Sequence, residues 1–489
     1  MSPSAEFEIT ARFEMPLSVP RYLSPPPRPS QPVVNARETI VALFDADSFV
    51  EHEPSNESSC LVGEGFIDQR KAYLIADAPY AEVPEDFATL HGKKMNLLKR
   101  IEKHPHPLIV LANAFRLYQP KGMFIATPGF PDFLMGKTGA TAYLRELGRL
   151  SGVVPTVALC LGKLFGGGTL NAPLCDAYAF IRKTTVTFPR PDLYKRMTRD
   201  AAGAELLGDA EMHCSVSGLG DALVDSRADG VEWVKRYLSY FPTNFKHLPP
   251  VLPRTLALAH DNRDLKIEPL IPFDVRKLID VFVDPKSFFE IKELYAREVV
   301  TGFARLGGVP IGIVANNSKV KSGAIFPDTC KKVAKFVSLC DSFSIPIVML
   351  ADTPGFMVGA GLDQAGAVKL AALVCSVLAK ATVPKALVIV RNAFGGGLFM
   401  TGPGFMDTVV AFPQAKIGPF GAATIRPPES RHEADAAVDM QAMSDMGRMM
   451  ERGLLDQIVE PATLREYLIG FLGQQKRRPP DSPRTVLCL

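Results

Sequence analysis

The sequence predicts an α/β protein built from two related halves. The chain has 489 residues, which exceeds the size of one ordinary core and favours two domains. Val154 and Pro155 lead through an apolar run into the triplet that ends at Gly168, and the same pattern recurs 229 residues later, from Val383 to Gly397. Apolar runs of strand length alternate with segments of helical periodicity, which is typical of parallel sheets.

The first 59 residues form an N-terminal extension whose composition differs from the rest. The alternation of apolar and polar residues from Phe7 to Met15 predicts one strand. A proline-rich spacer follows, and the acidic segment EHEPSNESS, residues 51–59, is expected to be a mobile loop. We therefore predict that residues 1–59 are a partly disordered appendage without a catalytic part.

The first half, residues 60–250, opens on a predicted β-hairpin, EGFIDQRKAYLIAD. Helical spacing predicts helices in HGKKMNLLKRIEKH and TGATAYLRELGRLSG, and apolar runs predict buried strands in PLIVLAN and VPTVALCLG. Clustered prolines indicate that a linker follows, residues 251–289.

The second half, residues 290–475, repeats this order. Strands are predicted in IGIVAN, IPIVMLAD and VPKALVIV, and helices in CKKVAKFVSLCDSF and GAVKLAALVCSVLAKA. The tail, residues 476–489, is rich in charge and proline, and we expect it to be loosely ordered.

Composition excludes several classes of function. A net charge of +3 gives no reason to expect nucleic acid, and no apolar run approaches the roughly 18 residues of a membrane span. The eight histidines lack metal-ligand spacing, and the segment before Lys137 lacks the glycine that a phosphate-binding loop needs. The eight cysteines are scattered without a CxxC pair, which indicates free thiols and a cytoplasmic location.

The two glycine triplets are the candidate reactive elements. A turn from a strand into a helix presents free N–H groups and the positive end of the helix dipole to a ligand, and glycine lacks the Cβ that would block its approach. Such amides stabilise an enolate or another oxyanion, and one donor contributes roughly 3 kcal/mol. We therefore predict two oxyanion sites, and expect valine at Gly167 or Gly396 to abolish activity without disturbing the fold.

Several segments, in one order, resemble the carboxyltransferase (β) subunit of biotin-dependent acyl-CoA carboxylases of the propionyl-CoA and methylcrotonyl-CoA type. The clearest are GFARLGGVPIGIVANNSKVKSG, FVSLCDSFSIPIVMLADTPGFMVG, ATVPKALVIVRNAFGGG and FPQAKIG, and GEGFIDQRKAYLIAD, GGGTLNAPLCD and LSYFPTN match in the first half. The resemblance covers about residues 60 to 485. It implies two tandem crotonase-like (ClpP-type) β-β-α superhelix domains, the first on the acyl-CoA side and the second on the biotin side.

The resemblance also implies transfer of CO2 from N1-carboxybiotin to the α-carbon of an acyl-CoA, through an enolate held in backbone oxyanion holes. It implies further that the cofactor acts as the base and that no metal takes part. Gly166 and Gly167 would face the thioester oxygen, and Gly396 and Gly397 the ureido oxygen of biotin. The remaining candidates are Arg116, Lys163, Gly168, Arg190 and Phe399 on the substrate side, and Asp352, Pro354, Gly355, Phe356 and Gly395 on the biotin side.

The first half departs from the family pattern more than the second half does. The segment from Asn113 to Leu117 stands where the family has a DSGGAR signature, and Arg190 stands where it has a glycine before proline. Phe399 occupies a position that the family links to the choice of acyl group. The acyl group therefore stays open, as does the choice between an acyl-CoA and a carrier-bound thioester.

The motifs that the sequence lacks define the expected partners. It contains neither a biotin-acceptor lysine motif nor an ATP-binding carboxylase domain, so activity would need partner chains that supply biotin carboxylase and biotin carboxyl carrier. In the family the site forms between two subunits, which implies a homo-oligomer, a hexamer in the family. Two alternatives stay open: a biotin-independent crotonase-type decarboxylase or acyl transferase acting on an acyl thioester, and a non-catalytic scaffold subunit of a carboxylase assembly.

Overall fold

The computed structural model describes residues 36–54, 60–77, 87–113, 136–137, 139–189, 191–200, 207–253, 267–268, 271–397, 402–418 and 446–488. The strand predicted at Phe7 to Met15 and the site candidates Arg116, Arg190 and Phe399 lie outside these ranges.

The strands are numbered in chain order through both halves. Those of the first half are β1 (Val50–His52), β2 (Cys60–Ile67), β3 (Arg70–Asp77), β4 (Leu108–Ala112), β5 (Thr156–Cys160), β6 (Lys163–Phe165), β7 (Ala177–Ile181), β8 (Thr185–Thr187) and β9 (Ala222–Val224). Those of the second half are β10 (Phe289–Ile291), β11 (Val299–Leu306), β12 (Val309–Asn316), β13 (Ile347–Thr353), β14 (Lys385–Phe394), β15 (Thr408–Ala411), β16 (Lys416–Gly418) and β17 (Gln457–Ile458).

The helices pack on the faces of the sheets. They are α1 (Ala36–Leu43), α2 (Phe87–Lys103), α3 (Ala140–Arg149), α4 (Pro191–Thr198), α5 (Ala210–Ser215), α6 (Arg227–Ser239), α7 (Arg276–Phe282), α8 (Pro327–Ser342), α9 (Ala360–Gln364), α10 (Ala367–Lys380), α11 (Met446–Glu451) and α12 (Leu464–Gln474). Short 3₁₀ helices occur at Gly166–Leu170, Lys321–Gly323, Pro403–Phe405 and Pro461–Thr463. Within the ranges given above, no helix combines the length and the apolar character that crossing a membrane requires.

Both halves arrange their strands in the same order. The first sheet runs β1-β2-β3-β4-β5-β7-β9, and the second runs β10-β11-β12-β13-β14-β15-β17. In each sheet the first three strands pair antiparallel and the later strands join in parallel. The prediction of a repeated α/β unit is confirmed, and the predicted hairpin is β2 and β3.

The segment predicted as a mobile loop before this hairpin starts with a strand. Residues Val50–His52 pair antiparallel with β2, opposite Glu64 to Val62. Arg37 of the preceding helix donates to the Glu51 carboxylate of β1 at 3.1 Å, so this edge of the sheet is held by a side chain as well as by backbone. Short polar strands carry a weak periodicity, which is why the pattern did not indicate β1.

Aromatic side chains join the two halves. Trp233, Tyr237 and Phe241, on and just after α6 of the first half, pack against Phe289 and Phe303 of the second half, with ring centroids 5.1 to 6.1 Å apart. One apolar core therefore runs between the halves, and a further apolar cluster fills the outer side of each sheet.

A buried ion network lies beside this aromatic contact. The Asp221 carboxylate of the first half lies 3.2 Å from the amines of both Lys292 and Lys335 of the second half. Burial alone would raise the pKa of Asp221, but the two lysines hold this pKa below its usual value. The carboxylate also accepts the N–H of Tyr178 at 2.8 Å, so its charge is fully paired.

The tail is ordered where the sequence predicts a loose segment. We call residues 484–488 the strap, because they cross from the second half onto the first. Arg484 pairs with Asp341 of α8 at 2.6 Å, and Val486 is buried and donates its N–H to the Ser151 hydroxyl. A Cβ on Gly152 would lie 1.6 Å from the carbonyl oxygen of Arg484, so only glycine at this position allows the strap to pack here. The expectation of a loose tail is wrong for these residues because their partners are remote in sequence.

We expect Asp221→Asn to destabilise the junction. Removing this charge leaves two buried amines without a counter-ion, which typically costs about 3 kcal/mol or more. Urea unfolding at pH 7 measures the loss. Asp225→Asn is the matched control, because Asp225 pairs with Arg182 at an exposed position and should change stability by less than about 1 kcal/mol. Equal effects of the two substitutions would contradict the role of the network.

Candidate active site

The two glycine triplets have the same backbone at their first residue. Gly166 and Gly395 both take positive φ, 62° and 51°, in the left-handed region that favours glycine. Each also donates its N–H to a neighbouring strand segment: Gly166 to the carbonyl of Phe188 at 2.9 Å, and Gly395 to that of Gly418 at 3.1 Å. The repeat seen in sequence is therefore a repeat of geometry.

This hydrogen bond changes one assignment made from the sequence. The Gly166 N–H was expected to face the thioester oxygen, but it already donates to Phe188. That amide is not available to a substrate in this structure, just as the corresponding amide of Gly395 is not. By the same repeat, Gly167 corresponds to Gly396, and Gly168 to Gly397.

The first triplet lies in open space. It begins the 3₁₀ helix Gly166–Leu170, in which the first amides have no intrahelical acceptor. Within the described part of the chain no acceptor binds the exposed Gly167 N–H, and a Cβ on any of the three glycines would meet no atom within 4 Å. Lys163, three residues before the triplet, exposes its side chain to solvent. An anionic oxygen can therefore reach the Gly167 amide.

The second triplet is covered by the turn that follows β13. A Cβ on Gly396 would lie 2.5 Å from the ring of Phe356, and a Cβ on Gly397 would lie 2.6 Å from the Thr353 methyl group. Gly355 takes φ 110°, and the place where its Cβ would stand is 3.0 Å from the Phe394 carbonyl oxygen and 3.7 Å from the amide nitrogens of Gly396 and Gly397. The absence of this one side chain leaves a small space beside the Gly396 amide.

An ion pair fixes this turn. The Asp352 carboxylate accepts two hydrogen bonds from Arg391 of β14, at 3.0 and 2.8 Å, and both side chains are buried. Arg391 also donates to the carbonyls of Glu268 and Ile271. Asp352 was assigned to cofactor binding, but its carboxylate is occupied by Arg391, so it positions the turn and does not point at a ligand.

The rest of the turn is held by backbone. The Gly355 carbonyl accepts the N–H of Ile325 at 2.9 Å, and the Ile325 carbonyl accepts the N–H of Met357 at 3.0 Å. Pro354 is exposed and Phe356 is half-buried, so these two candidates border the space beside Gly355. The sequence analysis missed Arg391, although a charge inside the apolar run of β14 was a signal for a buried partner.

The chain resembles known proteins in sequence and in fold. The family model described as carboxyl transferase domain matches residues 135–483. An uncharacterized carboxylase of Bacillus subtilis is 39% identical over 292 residues, which cover 58% of this chain and 57% of that protein. The propionyl-CoA carboxylase beta chain of Roseobacter denitrificans is 31% identical over 490 residues, covering 92% of each chain. A crystal structure of the transcarboxylase 12S hexamer, with methylmalonyl-coenzyme A and methylmalonic acid bound, matches with a TM-score of 0.78 and 26% identity over 93% of each chain.

The packing predicts different costs for alanine in the two triplets. Gly396→Ala must displace the Phe356 ring and should lower the free energy of unfolding by about 1 to 3 kcal/mol. Gly167→Ala meets open space and should change it by less than about 1 kcal/mol. Thermal and urea unfolding of both variants measure the difference.

The double variant Gly396→Ala with Phe356→Ala provides the control. Removing the ring should relieve the clash, so the double variant should lose less stability than the two single losses combined. Simple additivity would show that the ring does not oppose the new methyl group. The prediction that valine leaves the fold largely intact therefore holds for Gly167 but is wrong for Gly396, where the side chain would meet the Phe356 ring.

Proposed function

The chain belongs to the carboxyl transferase domain family, and on that premise we propose that it moves a carboxyl group from biotin to the α-carbon of an acyl thioester. The crotonase-like fold and the carboxyltransferase activity predicted from the sequence agree with the relatives described above. The observation that carries the proposal is the pair of glycine turns, placed at corresponding positions of two repeated sheets.

A carbonyl oxygen of the biotin ring would approach the Gly396 amide beside Gly355, on the side away from the Phe394 carbonyl oxygen. Pro354 and Phe356 belong to the same turn. Biotin, when bound, supplies the carboxyl group and the base that removes the α-proton. The Gly396 amide would stabilise negative charge on the ring oxygen without reorganising, because the buried ion pair already fixes the turn.

The first triplet suits the acyl thioester. The Gly167 amide, at the start of a 3₁₀ helix, would donate to the thioester oxygen as the α-carbon loses its proton and becomes an enolate. The backbone at Gly168 leaves room for the rest of the acyl group, since no atom lies near its Cβ position. The exposed amine of Lys163 would attract the phosphates of coenzyme A.

Asp352 and Arg391 position the turn that borders the second triplet. Asp352 and Arg391 neutralise each other in a buried pair, so neither is poised to act as a base or an acid. The contribution of this chain is thus to bind, to orient and to stabilise charge on two oxygens.

Exposed apolar side chains beside each triplet favour a site completed between copies. Phe188, whose carbonyl binds Gly166, is 66% exposed, and Val358, two residues beyond Phe356, is 88% exposed. Apolar surface next to polar catalytic groups is typical of a surface that another protein covers. We propose a homo-oligomer in which the first half of one copy faces the second half of another, working with partner chains that supply biotin and its carboxylation.

A transfer assay tests the proposed reaction. The full-length protein, given N1-carboxybiotin or a carboxylated biotin carrier together with a panel of acyl thioesters, should form a carboxylated acyl product detectable by mass spectrometry. Product formation without any biotin would point to a biotin-independent decarboxylase or acyl transferase. No turnover, together with tight binding to a related carboxyltransferase subunit, would point to a scaffold role.

We expect Gly167→Val to lower kcat/KM at least about 100-fold, the loss typical of one missing oxyanion donor. The melting temperature should stay within about 2 °C of the unmodified protein, since the side chain enters open space. Gly470→Val on α12 is the matched control, because this glycine also has open space around its Cβ position but lies on a surface helix of the other half. Unchanged transfer by Gly167→Val would refute the assignment of this amide.

A further inference from the structure

A cavity of about 300 Å³ lies where the strap meets both halves. Cys175 and Tyr178 line it from the first half, Lys335 from α8, and Leu487 and Cys488 from the strap. None of these residues belongs to the two glycine turns or to the ion pair that holds the second one. Two of the eight cysteines of the chain therefore line one cavity, and the proposed reaction does not use this cavity.

The sulfurs of these two cysteines lie against a single turn of the first half. The Sγ of Cys175 is 3.8 Å from the carbonyl oxygen of Asn171, and the Sγ of Cys488 is 3.8 Å from that of Pro173. The two acceptors are only two residues apart in the chain, so both thiols lie against the same turn and line the same cavity, although 312 residues lie between them in the sequence.

The two thiols differ in access. Cys488 is exposed, whereas Cys175 is 5% exposed. Burial first, and then the neighbouring Asp176 and Cys488 themselves, raises the pKa of Cys175 far above its usual value. An oxidant from solvent therefore meets Cys488 first. The raised pKa disfavours the Cys175 thiolate, so the attack of Cys175 on an oxidised Cys488 is the slower step.

We propose that Cys488 and Cys175 form a reversible disulfide when the protein meets a hydroperoxide. The Cys488 thiolate attacks the peroxide, so that an S–O bond forms, the O–O bond breaks, and an alcohol or water leaves with the thiol proton. The Cys175 sulfur then attacks the sulfenic acid, so that the S–S bond forms, the S–O bond breaks, and water leaves with the second proton. Two thiols are oxidised, and one hydroperoxide is reduced.

This bond would make the strap a covalent link between the halves. At present the strap is held by the Arg484 pair with Asp341, by the buried Val486, and by the Leu487 N–H, which donates to the Ser338 hydroxyl at 3.1 Å. These contacts place Cys488 at the cavity before any oxidation. A disulfide that closes so long a loop restricts the unfolded chain strongly, so oxidation should raise the temperature of unfolding.

Peptide mapping of the oxidised protein tests the link. The full-length protein is treated with hydrogen peroxide, alkylated, digested without reductant and analysed by mass spectrometry. A peptide pair joining Cys175 to Cys488, which a phosphine reductant separates, is the expected result. Oxidation of Cys488 to sulfinic or sulfonic acid with Cys175 still free, or a Cys488 dimer between copies, would overturn the proposal.

Two variants make the result specific. Cys488→Ser should abolish both the linked peptide and the rise in melting temperature, which should reach several degrees in the oxidised protein. Cys375→Ser, at a half-buried thiol of α10, should behave as the unmodified protein does. A rise that persists in Cys488→Ser, or that disappears in Cys375→Ser, would contradict the assignment of the pair.

Discussion

The close approach of the turn after β13 to the glycines after β14 is the constraint on which the second site depends. Parallel pairing keeps the two strands in register to Ala351, and the register then shifts before Thr353. Beyond this shift the turn lies close to the glycines. A Cβ on Gly396 would collide with the Phe356 ring, and a Cβ on Gly397 would collide with the Thr353 methyl group. Any side chain on these glycines would displace the turn, and the space beside the Gly396 amide would be lost.

The glycine turns of the two halves have the same backbone geometry but different surroundings. In the second half a single strand, β14, runs without a break into its glycines, whereas the first half divides the same stretch into β5 and β6. The break falls at Gly162, where a Cβ would collide with the Asn113 amide group. Among the described residues, the first triplet is open and the second is covered by the turn after β13. This difference in accessibility suits a protein that binds two different molecules at two copies of the same glycine turn.

The sequence alone was sufficient to predict the fold and the positions of the two glycine turns. Periodicity and apolar runs predicted the hairpin of the first half, the parallel strands and the helices between them, because burial dictates residue type at those positions. It did not reveal that the Gly166 amide is engaged, that Arg391 occupies Asp352, or that the strap is ordered. Each of these depends on a partner that is remote in the chain, and spacing along one segment carries no information about such a partner.

The strap has a consequence for how the molecule is made. Residues 484–488 emerge from the ribosome after every other described part of the chain, yet they fill a seam beside Ser151 and Gly152, which are synthesised in the first third. The surface around Ser151 and Gly152 is therefore exposed to solvent while the second half is being translated. The strap can cover this seam only after it has been translated, so its contact with Ser151 forms later than the first sheet.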